Sequence, residues 1–134
     1  MSLLELLVAL LAMVLLLSTA VSGYQRWLLQ SRRALAWSEL LQVQARQEQF
    51  YLETGAYAQR LSELGYPGDA YMIDAGGVRR EEGAIGAIYR VEQRLQGADI
   101  IIRAAVHPAG ADPGCPVLQL DMQMMRTSRT SACR

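Results

Sequence analysis

The sequence predicts an α+β fold in which a long N-terminal helix packs on a small antiparallel sheet. Three observations lead to this prediction. Residues 6–25 carry no charged side chain, and a composition that favours helix continues without proline to residue 54. Three later segments alternate apolar and polar residues, as strands with one buried face do. The chain of 134 residues has the size of one domain.

The apolar run is long enough to cross a membrane. At ~1.5 Å rise per residue, residues 6–25 span ~30 Å, the thickness of the hydrocarbon core of a bilayer. Glu5 lies inside the apolar start, where a charged side chain costs on the order of 3 kcal/mol. Its nearest cation along the chain is the α-amino group of Met1, and a neighbouring copy would offer an identical amine. We therefore expect Glu5 either to pair with a neighbouring amine in assembly or to lie at the membrane edge.

Residues 26–54 continue the helix as an amphipathic segment. One apolar face at helical spacing comprises Leu29, Ala36, Leu40, Val43 and Phe50, and a thinner one comprises Ala34, Leu41, Ala45 and Leu52. Two apolar faces predict two burial partners, the chain's own sheet and something else. Gly55 is the expected stop, and Ser22-Gly23 is the expected point of bending in a helix of ~80 Å.

The remaining chain divides into residues 55–86, predicted as a connecting loop with one helical turn at 60–64, and a sheet over residues 87–134. Strands are predicted at 87–95, 98–107 and 117–124, with a hairpin turn at Gln96-Gly97. The apolar face of this sheet should cover the helix face that contains Leu40 and Phe50. Residues 1–25 and 26–54 are the membrane and amphipathic halves of the helix.

Cys115 and Cys133 are the only cysteines of the sequence. If the apolar run is an anchor, the rest of the chain can lie outside the cytoplasm, where a disulfide persists. A bridge closing so short a loop is worth ~3 kcal/mol in the loop-entropy model. Two free buried thiols are the alternative, and a zinc site that includes His107 is disfavoured because zinc sites want about four ligands at tight spacing.

Catalysis finds little support in the sequence, and we expect no enzyme, no cofactor and no metal. His107 is the one histidine, and it lies on the predicted outer face of a strand, next to a proline. Gly76-Gly77 lacks the Lys-Ser/Thr of a phosphate-binding loop. The formal net charge is zero, which argues against a strongly cationic nucleic-acid surface but leaves room for a local basic patch.

The start of the chain, Met-Ser-Leu-Leu-Glu-Leu-Leu-Val-Ala, with Tyr24-Gln25 closing the apolar run, resembles the mature N-terminus of type IV pilins. The segment Gln47-Glu48-Gln49-Phe50-Tyr51-Leu52-Glu53-Thr54-Gly55-Ala56-Tyr57 resembles the helix end of the PilE-type subgroup. The terminal Cys115…Leu118-x-Leu120…Cys133 is similar to the disulfide-closed loop of that subgroup. Three departures from the family pattern stand out. Met1 replaces Phe, two helix breakers are replaced by Val14 and Ser22, where the family has Gly and Pro, and residues 127–131 before Cys133 lack the usual Gly.

The resemblance implies a type IV pilin fold and a processed, filament-forming subunit. A prepilin peptidase would remove a short basic leader and methylate the amine of Met1, and Glu5 would pair with the amine of a neighbouring subunit. Identical subunits and the inner-membrane assembly machinery would be the partners. The chain would cross the inner membrane once before assembly and belong to an extracellular pilus afterwards, with motility, adhesion and DNA uptake as possible uses.

Two alternatives remain beside the structural pilus subunit. A pseudopilin of a type II secretion system is disfavoured by Cys115 and Cys133, because those proteins more often bind calcium or lack this disulfide. A minor tip pilin that binds DNA needs a basic strip facing outward. Arg126, Arg129 and Arg134 provide a thin strip of this kind, which predicts a weak, salt-sensitive interaction.

Overall fold

A computed structural model gives the fold of the chain and describes residues 2–97, 99–122 and 133, together with the backbone of residues 126–128. The chain forms two compact units, Met1–Ser31 and Arg32–Arg134. The first helix, α1 (Leu3–Thr54), contributes residues 3–31 to the first unit and residues 32–54 to the second. The fold class is α+β, as predicted, with one long helix and a small antiparallel sheet.

The helix of the first unit is apolar and exposed. The side chains of residues 2–27 are exposed to solvent. This stretch is long and apolar enough to cross a membrane. The hydroxyls of Ser18, Thr19 and Ser22 donate to carbonyls three residues earlier, at 2.8, 2.9 and 3.0 Å. These bonds satisfy the hydroxyls within the helix itself, which an apolar environment requires. The helix passes through Ser22 and Gly23 without a break.

The helix of the second unit buries one face against the sheet. Ala36, Leu40 and Val43 are fully buried, so the predicted apolar face is confirmed at its centre. The helix ends where expected, because Gly55 has a φ of 80° and its N–H donates to the carbonyl of Tyr51 at 2.8 Å. Such a left-handed residue closes the last turn at low cost only when it is glycine.

The described residues form one antiparallel sheet of six strands, in the order β2-β1-β3-β4-β5-β6. The strands are β1 (Ala70–Asp74), β2 (Arg79–Arg80), β3 (Ala87–Gln96), β4 (Asp99–Val106), β5 (Val117–Asp121) and β6 (Arg126–Ser128). The hairpin between β3 and β4 turns at Gly97, with a φ of 66°, as the sequence predicts. The predicted strand at 117–124 ends earlier, at Asp121, and residues 123–125 lie outside the described part of the chain.

The segment 55–86, predicted as a connecting loop, contains two strands, and this part of the prediction is corrected. Its helical turn exists as a 3₁₀ helix (Leu61–Leu64) ended by Gly65. The strands β1 and β2 were missed because β1 carries three consecutive buried residues, Tyr71, Met72 and Ile73, instead of an alternating pattern. A central strand covered on both sides has no period-two signal, and two-residue β2 is too short to have one.

The hydrophobic core lies between the helix face and the inner face of the sheet. Its fully buried members include Leu40, Val43, Leu61, Tyr71, Ile73, Val91, Ile102, Leu118 and Leu120. Gln47 is fully buried within this core, and its amide bonds both ways with the backbone of Ala58, at 2.9 and 3.0 Å. This pairing fixes the chain after the helix against the helix, since a buried amide without partners would be costly.

Candidate functional site

The N-terminal end of α1 places Glu5 in a reciprocal contact with Ser2. The backbone N–H of Ser2 donates to Oε2 of Glu5 at 3.0 Å, and the N–H of Glu5 meets the hydroxyl of Ser2 at 3.3 Å. This is a capping box, the Ser-x-x-Glu arrangement that satisfies two N–H groups at the start of a helix. Sequence reasoning missed it, although the motif is visible in the sequence. Met1, the predicted processing site, lies outside the described residues, and the pairing of Glu5 with the amine of a neighbouring subunit stays a prediction.

The outer face of the sheet carries the main charged cluster of the described chain. Arg90, Glu92 and Arg94 alternate with inward residues on β3, and Arg103 lies opposite Glu92 on β4. We call these four residues the sheet-face cluster. Glu92 accepts from Nε of Arg94 at 2.8 Å and from Nη1 of Arg103 at 3.2 Å, and it also pairs with Arg90. One carboxylate therefore orients three guanidiniums from two strands.

The charges of the sheet-face cluster do not cancel. Burial alone would raise the pKa of Glu92, but hydrogen bonds from Arg90 and Arg94 outweigh it and hold that pKa below its usual range. Glu92 is therefore ionised at neutral pH, and it opposes three arginines. A second carboxylate, Glu82, lies 2.6 Å from Nη2 of Arg90 and raises its pKa. Three arginines thus oppose Glu92 and Glu82, which leaves one positive charge shared by Arg94 and Arg103, and Asp99 lies on the same face of β4.

Both of these arginines keep donors available. The side chain of Arg94 is 61 % exposed. Among the described residues it donates a hydrogen bond to Glu92 only, through Nε. Arg103 uses Nη1 for Glu92 and its Nε is buried, so the donors that it can offer a ligand are the remaining N–H groups of its two terminal nitrogens. Guanidiniums with spare donors are suited to carboxylate, phosphate or nucleobase acceptors.

A cleft of about 370 Å³ adjoins the sheet-face cluster at the hairpin end of the sheet, and we call it the sheet-face cleft. Its lining comprises Arg94, Leu95, Gln96, Ile101, Arg103 and Gln119. The lining combines two cations, two carboxamides and two apolar side chains from three adjacent strands. Such a mixture fits a polar ligand that also presents apolar surface.

Polar contacts from α1 hold the disulfide-closed loop near the end of the chain. Cys115 and Cys133 are bonded, with Cα atoms 5.3 Å apart, which confirms the predicted bridge. Just before Cys115, Asp112 accepts two hydrogen bonds from Arg33, at 2.7 and 2.8 Å. The bond from Arg33, opposed in part by burial, lowers the pKa of Asp112. Trp37 donates its indole N–H to the carbonyl of Cys133 at 3.3 Å.

A buried network around Glu39 joins the helix to β1 and β2. Glu39 accepts from the hydroxyl of Tyr71 at 2.6 Å and from Nε of Arg79 at 2.6 Å. Burial, followed by the hydrogen bond to Glu39, raises the pKa of Tyr71 well above its usual value, so the hydroxyl stays protonated. Arg79 also donates through Nη2 to the second oxygen of Glu39 at 3.2 Å, so both carboxylate oxygens bond within the fold, and we assign the network to its stability.

His107 and the predicted basic strip are the remaining candidate residues from the sequence. His107 lies just beyond β4 and is exposed, and the described residues contain no group of three or more His, Cys, Asp or Glu that could hold a metal. The predicted basic strip of Arg126, Arg129 and Arg134 lies outside the described side chains. The sheet-face cluster was not singled out, although the alternating pattern already placed its members on one face of neighbouring strands.

Comparison with known proteins identifies one family. A family model described as "Type IV minor pilin ComP, DNA uptake sequence receptor" matches residues 22–92, more than half of the chain. The matched segment contains the amphipathic part of α1, strands β1 and β2, and β3 as far as Glu92. A search of curated proteins found no match.

Proposed function

Because the chain belongs to the family of type IV minor pilins described as ComP DNA uptake sequence receptors, we propose that it is a minor pilin that binds DNA through the outer face of its sheet. The family assignment supports the DNA-binding minor-pilin alternative over the structural filament subunit, major or minor, that the N-terminal resemblance suggested first. The PilE-type subgroup remains a prediction. We propose no catalytic activity and no cofactor.

The observation that carries the proposal is the match to a family of DNA receptors, taken with the sheet-face cluster. The matched segment includes Arg90 and Glu92, and Arg94 and Arg103 lie beside them on the same face. Contacts from arginine to phosphate position a protein on DNA regardless of sequence, and they supply much of the affinity. Glu92 supports this role because it fixes the direction of each guanidinium while leaving donors for a phosphate.

The expected affinity is modest and depends strongly on salt. The chain has no formal net charge, so long-range attraction of DNA is weak and only the local excess at Arg94 and Arg103 contributes. Phosphate must also compete with Glu92 for both guanidiniums. The sequence predicted a weak, salt-sensitive interaction at a different surface, that of Arg126, Arg129 and Arg134, whose side chains lie outside the described residues.

Anchoring and assembly belong to the same proposal. The exposed apolar helix of the first unit would hold the chain in the inner membrane and, after processing and N-methylation at Met1, would pack among other pilins. Glu5 would then pair with the amine of a neighbouring subunit. A groove of about 570 Å³ on α1, lined by Ala34, Trp37, Ser38, Leu41, Gln42 and Ala45, supports packing of the amphipathic half against another subunit.

A structural filament subunit is the second candidate function, favoured by this apolar helix surface. Deletion of the gene in a competent host separates the two. A DNA receptor predicts that pili are still assembled while uptake of labelled DNA falls sharply, and that the wild-type chain restores uptake. Loss of pili in the deletion strain would instead support the structural role. Complementation with Arg94→Gln should restore pili but not uptake. The control Arg60→Gln, at an exposed arginine just before the 3₁₀ helix, should restore both.

A further inference from the structure

Two carboxamides in the sheet-face cleft make no side-chain hydrogen bond to any described residue. They belong to Gln96, at the hairpin end of β3, and to Gln119, which lies opposite Arg103 in the register of β4 and β5. Each carboxamide offers one acceptor oxygen and two N–H donors. A glutamine amide matches the adjacent acceptor and donor, N7 and N6, that adenine presents in the major groove.

The sheet-face cleft brings its two cations and its two carboxamides together. Arg103 lies opposite Gln119, and the carboxylate of Asp99 lies opposite Gln96 at the hairpin end. Phosphate is attracted to the guanidiniums of Arg94 and Arg103. A DNA strand whose phosphates bind these arginines therefore brings its bases beside Gln96 and Gln119, because all four side chains line one cleft.

We propose that Gln119, assisted by Gln96, contacts base edges and determines which DNA sequence the chain prefers. The inference rests on the proposed DNA-receptor function, and it assigns affinity and sequence discrimination to different residues. The guanidiniums of Arg94 and Arg103 provide affinity for any sequence, because phosphates are the same at every position. The carboxamides provide discrimination, because a wrong base leaves their donors and acceptor unpaired.

The test is a selection from a library of short random DNA duplexes, performed with the full chain in detergent micelles. The wild-type chain should enrich a motif that contains at least one fixed adenine. The affinity ratio between that motif and a scrambled duplex should fall by roughly tenfold or more in Gln119→Leu, the loss expected for one bidentate base contact. Affinity for the scrambled duplex should change by less than about twofold, since no phosphate contact is removed.

A second variant tests the chemistry and not only the presence of the side chain. Gln119→Glu replaces a group that reads adenine with one that accepts from the amino group of cytosine. Selection with this variant should therefore exchange the fixed adenine for cytosine, a change that a general loss of structure does not produce. Gln49→Leu, at an exposed glutamine of α1 that bonds to Glu53, is the matched control and should retain the wild-type motif.

Three results would overturn the inference. The first is an unchanged affinity ratio in Gln119→Leu, and the second is an equal loss of affinity for every duplex, which assigns Gln119 to the backbone. The third is a wild-type chain that binds DNA but enriches no motif, which leaves the proposed receptor function standing. A wild-type chain that binds no duplex at all would remove the proposed function itself and is thus distinguishable from the other outcomes. Circular dichroism and an intact disulfide verify that each variant is folded.

Discussion

Arg33 on α1 donates two hydrogen bonds to Asp112, which lies 79 residues later in the chain, through Nε at 2.7 Å and Nη2 at 2.8 Å. Asp112 is almost completely buried, and it also accepts from the backbone N–H of Cys115 at 3.2 Å. A single carboxylate thus connects the helix to the start of the disulfide-closed loop. The two-pronged geometry is the strongest form of arginine–carboxylate contact.

Replacement of Asp112 by asparagine should destabilise the domain. The amide keeps the volume but loses the charge, and it is a poorer match than a carboxylate for the guanidinium of Arg33, at a cost of about 2 kcal/mol. For a domain of this size we expect Tm to fall by roughly 10 °C. Thermal unfolding of the full chain in detergent, followed by circular dichroism, measures the effect. Asp69→Asn, at a carboxylate that bonds only to Ser62 among described residues, is the control, and an equal fall in both variants would contradict the account.

Acid should weaken the same contact in a defined pH range. The bond from Arg33 holds the pKa of Asp112 in the folded chain below its value in the unfolded chain, which is about 3.9. Below that value the unfolded state takes up a proton first, so the contribution of Asp112 to the free energy of unfolding fades as pH falls through the folded pKa. The stability difference between wild type and Asp112→Asn should be constant above about pH 5 and shrink below about pH 4. A difference that persists unchanged at low pH would show that the charge is irrelevant.

Reduction of the disulfide should release the terminal segment from the helix. The bridge spans 18 residues, for which the loop-entropy model gives ~3 kcal/mol. Trp37 provides a local reporter, because its indole donates to the carbonyl of Cys133. In a Trp27→Phe background, reduction should shift the Trp37 emission to longer wavelength and lower Tm. The fluorescence shift should be absent from a Cys115→Ser/Cys133→Ser variant when reductant is added, and an unaltered emission spectrum in the parent would contradict the release.

Two substitutions separate the roles of Glu5. Glu5→Gln retains the capping box, which accepts either residue, but removes the charge needed to pair with a neighbouring amine. Ser2→Ala removes the cap and keeps the charge. Pairing between subunits predicts that Glu5→Gln is excluded from pili while Ser2→Ala is incorporated, measured by immunoblot of sheared filaments. Incorporation of Glu5→Gln at the wild-type level would assign Glu5 to capping alone.

The elements with strong local signals were predictable from sequence. The helix, its stop at Gly55, the turn at Gly97 and most inward residues of β3 to β5 follow from periodicity and glycine placement. The structure agrees with them except at Leu95, which is 53 % exposed near the hairpin end of β3. Strand β1 was not predictable in this way, because its consecutive buried residues Tyr71, Met72 and Ile73 are satisfied by neighbours that only the tertiary structure supplies. Local pattern carries no information about a strand covered on both sides.

The candidate site illustrates the same limit at the level of side chains. Alternation placed Arg90, Glu92 and Arg94 on one face of β3, and Arg103 on the outer face of β4. The three arginines contact the carboxylate of Glu92 only because the hairpin register places Glu92 opposite Arg103. A shift of one residue would move Arg103 to the core face, so the site exists only in the observed pairing. The pairing of Arg33 with Asp112, distant in sequence, had no local signal.

The most direct test of the account is the salt dependence of DNA binding by the full chain in detergent, measured by fluorescence anisotropy of a labelled duplex. Each phosphate contact contributes ~0.9 to the slope of log affinity against log salt. The double variant Arg94→Gln/Arg103→Gln should therefore bind every duplex more weakly and show a slope smaller by about 2, whereas Arg60→Gln should match the wild type. Equal slopes and affinities for the wild type and the double variant would contradict the assignment of DNA binding to the outer face of the sheet.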